Sequence, residues 1–355
     1  MKCSLLILAL VAAVQAAPLI APAANQRVIP DSYIIVLNPD MHTLATNGSS
    51  ATATAFKNKF DGLAKNHNGR NGGPTPAIQA DPDVAYIEQD SVVTAFASQP
   101  NPPATWGLVR ISQHVKDLTQ PYYYNDLAGQ GVTAYIIDTG ILTSHTDFGG
   151  RASFGANFIS GSPNTDQNGH GTHIAGVIGG TIYGVAKKVS LVGVKVLDAQ
   201  GSGSTSGVVA GMDWVAQRVV AGKTVNAPLF AAAGGSASTA CTGSPGGAPN
   251  VYTVASTDAN DAVASFSSTG SCVEIFAPGV GIKSTWIGSN TAINTISGSS
   301  MSTAFVTGAA ALFAAQGGLN TAQSIYNILS SQCTTGVITG NLGGAPNCLL
   351  YNGGP

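Results

Sequence analysis

Three short glycine-flanked segments, far apart in the chain, constrain its fold more than any other feature. They are Ile137-Asp138-Thr139-Gly140, Asn168-Gly169-His170-Gly171-Thr172-His173 and Gly298-Ser299-Ser300-Met301-Ser302. A serine hydroxyl is a poor nucleophile until a histidine takes its proton. That histidine in turn needs a carboxylate to fix its tautomer and stabilise its charged form. Asp138, His170 and Ser300 supply these groups only if the fold brings them together. Their settings suit such a meeting. Residues 132–137 read as a buried strand with Asp138 at its end, and Ser300 opens a small-residue helix over 300–315. Open α/β sheets gather functional groups at strand C-terminal ends. Free N–H groups at a helix start favour developing negative charge.

Taken singly, each residue has a plainer reading. Ser300 is a common kind of helix N-cap, and Asp138 a turn residue before Gly140. His170 and His173 share a helix face and suggest zinc, but no third ligand of matching type is evident. His173 reads instead as a hydrogen-bonded structural residue.

From Trp106 onward strands and helices alternate. Strands are expected at 132–137, 191–197, 228–233, 251–254 and 273–276, and helices at 205–220, 300–315 and 321–329. This pattern predicts an α/β domain with a mostly parallel sheet and helices on both faces. Upstream, residues 31–37 and 82–90 read as strands, 52–63 have helical spacing, and 66–74 carry turn chemistry. Gln99-Pro100-Asn101-Pro102-Pro103 reads as a linker. No internal repeat or coiled coil is evident.

Charged residues make up 9% of the 355-residue chain and the net charge is −2. That is far below the usual ~25% charged. With no basic stripe, nucleic acid is excluded as a partner. Residues 1–16 have the layout of a secretory signal: Lys2, an apolar run over 5–14, then Val14-Gln15-Ala16. The run is about half the ~20 residues a membrane span needs, so the chain is expected to be extracellular and not membrane-bound. Cys3 would leave with the signal. Cys241, Cys272, Cys333 and Cys348 then form an even set, which predicts two disulfides with three possible pairings.

The order Asp, His, Ser differs from the His, Asp, Ser of chymotrypsin-like enzymes and the Ser, Asp, His of α/β-hydrolases. With it stand Thr105-Trp106-Gly107-Leu108, Tyr183-Gly184-Val185-Ala186-Lys187-Lys188, Val194-Lys195-Val196-Leu197-Asp198 and Ser284-Thr285-Trp286-Ile287-Gly288. On these residues the chain resembles the secreted subtilisin-like serine proteases of the proteinase K and aqualysin type, over most of 97–352. The resemblance implies a signal peptide at 1–16 and a small α+β propeptide at 17–96. The propeptide would assist folding, act as an intramolecular inhibitor, and be shortened in its middle. Residues 97–355 would be the peptidase domain of a monomer acting on protein or peptide substrates. Asp138, His170 and Ser300 would hydrolyse peptide bonds through an acyl-enzyme, with no cofactor required for the chemistry.

The resemblance also assigns finer roles. Gly201, Ser202 and Gly203 match an edge segment that holds the substrate, and Gly234 lines the pocket by its backbone. The Ser300 backbone N–H contributes to the oxyanion site. Aqualysin-like relatives imply a Cys241–Cys272 bridge, which leaves Cys333 with Cys348. A structural calcium site would use the carbonyls of Pro249 and Val251 and the Glu274 carboxylate. The competing reading of Glu274 is a surface residue near a turn.

Two features depart from the family pattern. After Gly222-Lys223-Thr224-Val225-Asn226 a central strand carrying a Ser-Leu-Gly-Gly-type pocket wall should follow. Ala227-Pro228-Leu229-Phe230-Ala231-Ala232-Ala233 instead resembles the strand after it. One strand-helix unit is therefore expected to be absent. The family's oxyanion asparagine is replaced by Gly235, which has no side-chain amide. These departures leave two alternatives to a working endopeptidase: a catalytically impaired pseudoprotease, or an incomplete gene product.

Overall fold

The computed structural model describes residues 16–20, 28–38, 76–91, 96–103, 105–222, 227–242, 244–319 and 321–355. The chain divides into two units, Met1–Val93 and Thr94–Pro355.

In the first unit, strands β1 (Leu19–Ile20), β2 (Val28–Leu37) and β3 (Val84–Ser91) form a sheet in the order β1-β3-β2, with helix α1 (Pro76–Gln79) before β3. β2 runs antiparallel to β3 and β1 parallel to it. Ala17, Ile78, Val84 and Ile87 make a small buried cluster. The helical spacing at 52–63, the turn-rich 66–74 and residues 1–15 lie outside the described residues.

The second unit begins with β4 (Phe96–Gln99), which pairs antiparallel with β5 (Tyr122–Asn125) around helix α2 (Trp106–Ile111). The stretch expected to be a linker is tied down here. Gln99 Nε2 donates to the Ile182 carbonyl and Asn101 Nδ2 to that of Leu118. Next come β6 (Thr133–Asp138), β7 (Ala152–Asn157), α3 (His170–Gly179), β8 (Ser190–Lys195) and α4 (Thr205–Gly222). They are followed by β9 (Phe230–Ala232), β10 (Tyr252–Thr257), β11 (Val273–Pro278) and the antiparallel pair β12 (Ile282–Thr285) and β13 (Ile293–Ile296). Helices α5 (Ser299–Ala315) and α6 (Ala322–Gln332) and the short strands β14 (Thr334–Thr335) and β15 (Cys348–Leu349) complete the order.

The strands behave as their composition requires. β10 is buried at every position and β11 at all but Glu274, as befits parallel strands covered on both faces. α5 buries Met301, Ala304, Phe305, Val306, Ala309 and Leu312, so apolar residues surround much of it. Such a helix belongs inside a protein. Gly308 allows its close approach, because a Cβ there would strike Val185.

The parallel strands do not form one sheet. β6, β8 and β7 make a three-stranded parallel sheet in the order β6-β8-β7. β9, β10, β11 and β15 run parallel in a second sheet, with β14 antiparallel at its edge. A cavity of about 680 Å³ is lined by residues 131–138 of and before β6 and by residues 227–232 leading into β9. This is where the sequence departs from its family pattern, after Asn226.

Candidate active site

Asp138 is the last residue of β6 and His170 the first of α3. His170 Nδ1 lies 2.8 and 2.9 Å from the two carboxylate oxygens of Asp138. This leaves Nε2 as the ring nitrogen able to accept a proton. Burial by itself lowers the His170 pKa. The hydrogen bond and charge of Asp138, with a further contribution from Asp166, outweigh it and lift the pKa above the ordinary value of 6.5.

The short path from strand to helix is built by side chains. Helix starts leave N–H groups without intrahelical partners, and α3 satisfies them one by one. His170 N–H donates to Asn168 Oδ1, Gly171 N–H to Thr139 Oγ1, and Thr172 N–H to Asp166 Oδ2. A Cβ at Gly171 would strike the Gly140 carbonyl, so glycine lets the helix start press against the strand end.

Sequence reasoning missed the organiser of this region, Asp166, which is 5% exposed. Its Oδ1 accepts from Thr139 Oγ1, Asn168 N and Gly169 N at 2.8–2.9 Å, and its Oδ2 from Thr172 N and Oγ1 at 2.9 and 2.6 Å. One carboxylate therefore joins the residue after Asp138 to the turn before His170. A signal existed in Asp166-Gln167-Asn168-Gly169, an Asx-turn pattern before a helix. Lys195, fully buried, braces the same strand end by donating to the carbonyls of Thr139 and Leu197, both at 2.7 Å.

Ser300 is the second residue of α5, behind Gly298 as N-cap, and is half-buried. It borders the same cavity as Asp138. Among the described residues no hydrogen bond joins its hydroxyl to His170. Its neighbours anchor the helix start. Ser299 Oγ accepts from Gly234 N–H at 3.1 Å, and buried Ser302 Oγ lies within hydrogen-bond distance of Ser256 Oγ and of the Ala277 and Pro278 carbonyls. Ser302 thus fastens α5 to β10 and β11.

His173 takes its structural place. It is fully buried, its Nε2 faces the Ile282 carbonyl at 3.0 Å, and its ring meets Trp286 edge-on. Burial pushes its pKa down to about 4, which keeps the ring neutral.

Gly201, Ser202 and Gly203 form an exposed turn after β8, closed by Asp198 N–H to the Ser202 carbonyl and Ser202 N–H to Asp198 Oδ1. Gly203 abuts the Val196 carbonyl too closely for a Cβ. Gly234 has φ +106° and its carbonyl accepts from Ser268 N–H. Gly235 beside it is exposed, and an added Cβ there meets no atom within 4 Å. Cys241 is bonded to Cys272 and Cys333 to Cys348, with Cα separations of 5.5 and 5.4 Å. Glu274 Oε2 already accepts from Thr253 N–H, and burial raises the Glu274 pKa. Together with the carbonyls of Pro249 and Val251 it offers fewer than the six to eight oxygens calcium takes. Among the described residues no group of three or more His, Cys, Asp or Glu is placed to hold a metal.

The chain is similar to known proteins over most of its length. The Subtilase family profile matches residues 129–333. The chain is 40% identical to Subtilisin-like protease 2 of Pseudogymnoascus destructans, covering 96% of this chain and 93% of that one. It is 45% identical to Proteinase T of Parengyodontium album, covering 76% of this chain and 98% of that one. The first alignment runs over 375 positions, more than the 355 residues present here, so that relative carries residues without a counterpart in this chain. A crystal structure of a cold adapted subtilisin-like serine proteinase matches with TM-score 0.64 at 41% identity, covering 70% of this chain and 98% of that one. An acid–base pair at a strand end and helix start, a serine at the head of a buried helix, and homology on this scale lead to one conclusion: the chain belongs to the subtilase family of serine peptidases.

Proposed function

We propose that the chain is a secreted serine endopeptidase in which Asp138, His170 and Ser300 act as the catalytic triad. The observation that carries this is the Asp138 carboxylate on His170 Nδ1 at 2.8 Å, with Ser300 at a helix start on the cavity that Asp138 also lines. In the proposed reaction His170 Nε2 takes the Ser300 hydroxyl proton as Oγ attacks the substrate carbonyl. Asp138 stabilises the resulting imidazolium. His170 then returns the proton to the leaving amine, and the acyl-enzyme forms. Water, activated by the same nitrogen, attacks the ester and regenerates the serine. The Ser300 backbone N–H, at the positive end of α5, faces the developing oxyanion. Gly201, Ser202, Gly203 and Gly234 are proposed to hold the substrate backbone.

In the same reading residues 1–16 are a signal peptide, 17–96 an inhibitory propeptide, and the mature 97–355 a monomer acting on proteins outside the cell. A calcium ion at Pro249, Val251 and Glu274 would need further oxygen donors, and no step depends on it.

A second reading concerns competence, and the cavity beside β6 together with Gly235 favours it. Loss of one oxyanion side-chain donor costs about 10²–10³ in turnover. A missing pocket wall leaves the scissile bond poorly oriented, which costs further rate. The chain is then a weak or inactive protease. Kinetics on a peptide anilide series with the mature chain test both readings. We expect slow turnover, abolished by Ser300→Ala and raised up to ~100-fold by Gly235→Asn, for which the structure has room. Turnover that survives Ser300→Ala would sink the triad. Turnover of ordinary subtilase size, lost in Ser300→Ala, would sink only the impairment. Transcript reads joining the codons of Asn226 and Ala227 would exclude an omitted exon.

A further inference from the structure

Two strand edges face one cavity, and each has backbone groups to offer. In β6 the carbonyls of Val132 and Asp138 accept from Ser190 and Val196, on the β8 side. Alternation along a parallel strand turns the N–H and C=O groups of Thr133, Tyr135 and Ile137 the other way. At β9 the Leu229 carbonyl accepts from Tyr252, and Ala233 N–H donates to Val254, on the β10 side. Phe230 and Ala232 therefore point theirs away from β10. Among the described residues no strand pairs with either of these edges. Between them lies the cavity of about 680 Å³, bounded further by Ile178, Met212, Val215, Thr303 and Thr307.

The two strands run the same way. β6 ends at Asp138, which lines the cavity with Ser300. β9 ends just before Gly234, whose N–H donates to Ser299. Both C-terminal ends thus lie at the start of α5. The connection from α4 to β9 is too short to supply a strand there. The chain leaves β8 through α4 and, after residues 223–226, reaches Ala227 on the way into β9. Four residues are too few for another strand and its return crossover, which takes a dozen or more.

We propose that this cavity is a strand-acceptor slot. Its occupant is an extended apolar, β-branched polypeptide segment of about five residues, inserted parallel to β6 and β9 so that one continuous sheet results. The chemistry follows from the walls. Backbone groups on both sides select a strand, since an unpaired strand edge is a template for pairing with another segment. Apolar layers on both faces select a continuous apolar run instead of an alternating one. Among the described residues of the lining Asp138 alone is charged, so no charged segment is favoured. The slot exists whether or not the triad is competent.

The test uses the full chain carrying Ser300→Ala, so that no probe is cleaved. The probes are acetyl-Lys-Val-Ile-Val-Ala-Val-Lys-amide and the same peptide N-methylated at alternate apolar residues. Calorimetric titration and thermal unfolding are read with each. We expect the plain peptide to bind and raise Tm, the N-methylated one to bind at least tenfold more weakly, and Thr307→Phe, which fills the cavity, to weaken the plain peptide at least tenfold. Equal binding of the two peptides would mean an apolar cavity and not a strand slot. No binding of either, or binding untouched by Thr307→Phe in a folded variant, would also overturn the proposal. If Thr307→Phe does not fold, amide exchange decides. Slowed exchange at Tyr135 and Ile137 on adding the plain peptide supports the slot, and unchanged exchange refutes it.

Discussion

Asp166 shows how much of the site depends on a residue that performs no chemistry. Its two oxygens accept five hydrogen bonds from the segments that carry Asp138 and His170. In Asp166→Asn an amide replaces one oxygen and meets donors, with the bonds from Thr172 the most exposed to loss. Hydrogen bonds to a charged group contribute about 1.5–3 kcal/mol each, so a stability loss of about 2–4 kcal/mol is expected by denaturant unfolding. A merely structural role would stop there. Because the Asp166 charge also helps to raise the His170 pKa, the variant's pH–rate midpoint should fall as well. An unchanged midpoint would remove Asp166 from the electrostatics of the site.

The sign of the pH dependence follows from the same residue. His170 must be neutral to accept the serine proton. Its folded pKa is raised above 6.5, so kcat/KM of any residual activity should climb with pH through a midpoint above 6.5. A midpoint at or below 6.5 would contradict the Asp138 pairing. Stability moves oppositely. A raised histidine pKa favours the protonated folded state, a contribution fully present below the unfolded pKa and lost as pH rises through the folded one.

At the scale of elements, two ties hold pieces that the alternating pattern alone would leave loose. α2 is anchored through buried Arg110, 1% exposed, whose Nε and Nη2 reach the Asp261 carboxylate at 2.8 and 3.3 Å and whose Nη1 donates to the Gln113 carbonyl. Breaking a buried pair by removing one partner costs about 3–5 kcal/mol, because the other charge is stranded. Arg110→Met should lose that much in urea unfolding, and a loss under 1 kcal/mol would show that water reaches Asp261. α6 is closed by a capping box between Thr321 and Ser324 and held at its end by the Cys333–Cys348 bridge. Sequence reading placed α4, α5 and α6 and most of the long strands. It passed over α2, β5 and β7, whose short runs lack a decisive period. It also passed over the hairpin β12–β13, six of whose eight residues are polar or exposed.

In the whole molecule the parallel strands are divided between two sheets, with several consequences. The edge amides of Tyr135 and Ile137 face the cavity, while β8 is paired on both sides. Stability is not uniform across a fold, and exchange reports it locally. Native-state exchange in the chain alone should therefore be fast at Thr133, Tyr135 and Ile137 of β6. It should be at least ~100-fold slower at Val192 and Val194. Equal protection would mean that the edge of β6 is covered.

The sequence by itself determined the fold class, named three candidate chemical groups and marked the place after Asn226 where the chain departs from its family pattern. Glycine-flanked motifs, strand and helix periods and chain length are local properties, readable without coordinates. Only the tertiary structure decided what those features amount to. That Asp166 ties the segment after Asp138 to the turn before His170, that Ser302 fastens α5 to two strands, and that His173 is neutral in the core are consequences of which distant groups meet. Hydrogen bonds and burial between segments far apart in sequence leave no periodic trace. The departure after Asn226 was legible in the sequence. Whether the remaining strands would close over the gap or stay apart depended on the balance between backbone pairing and the packing of α3, α4 and α5, and the structure resolves it as two sheets with an open slot between them.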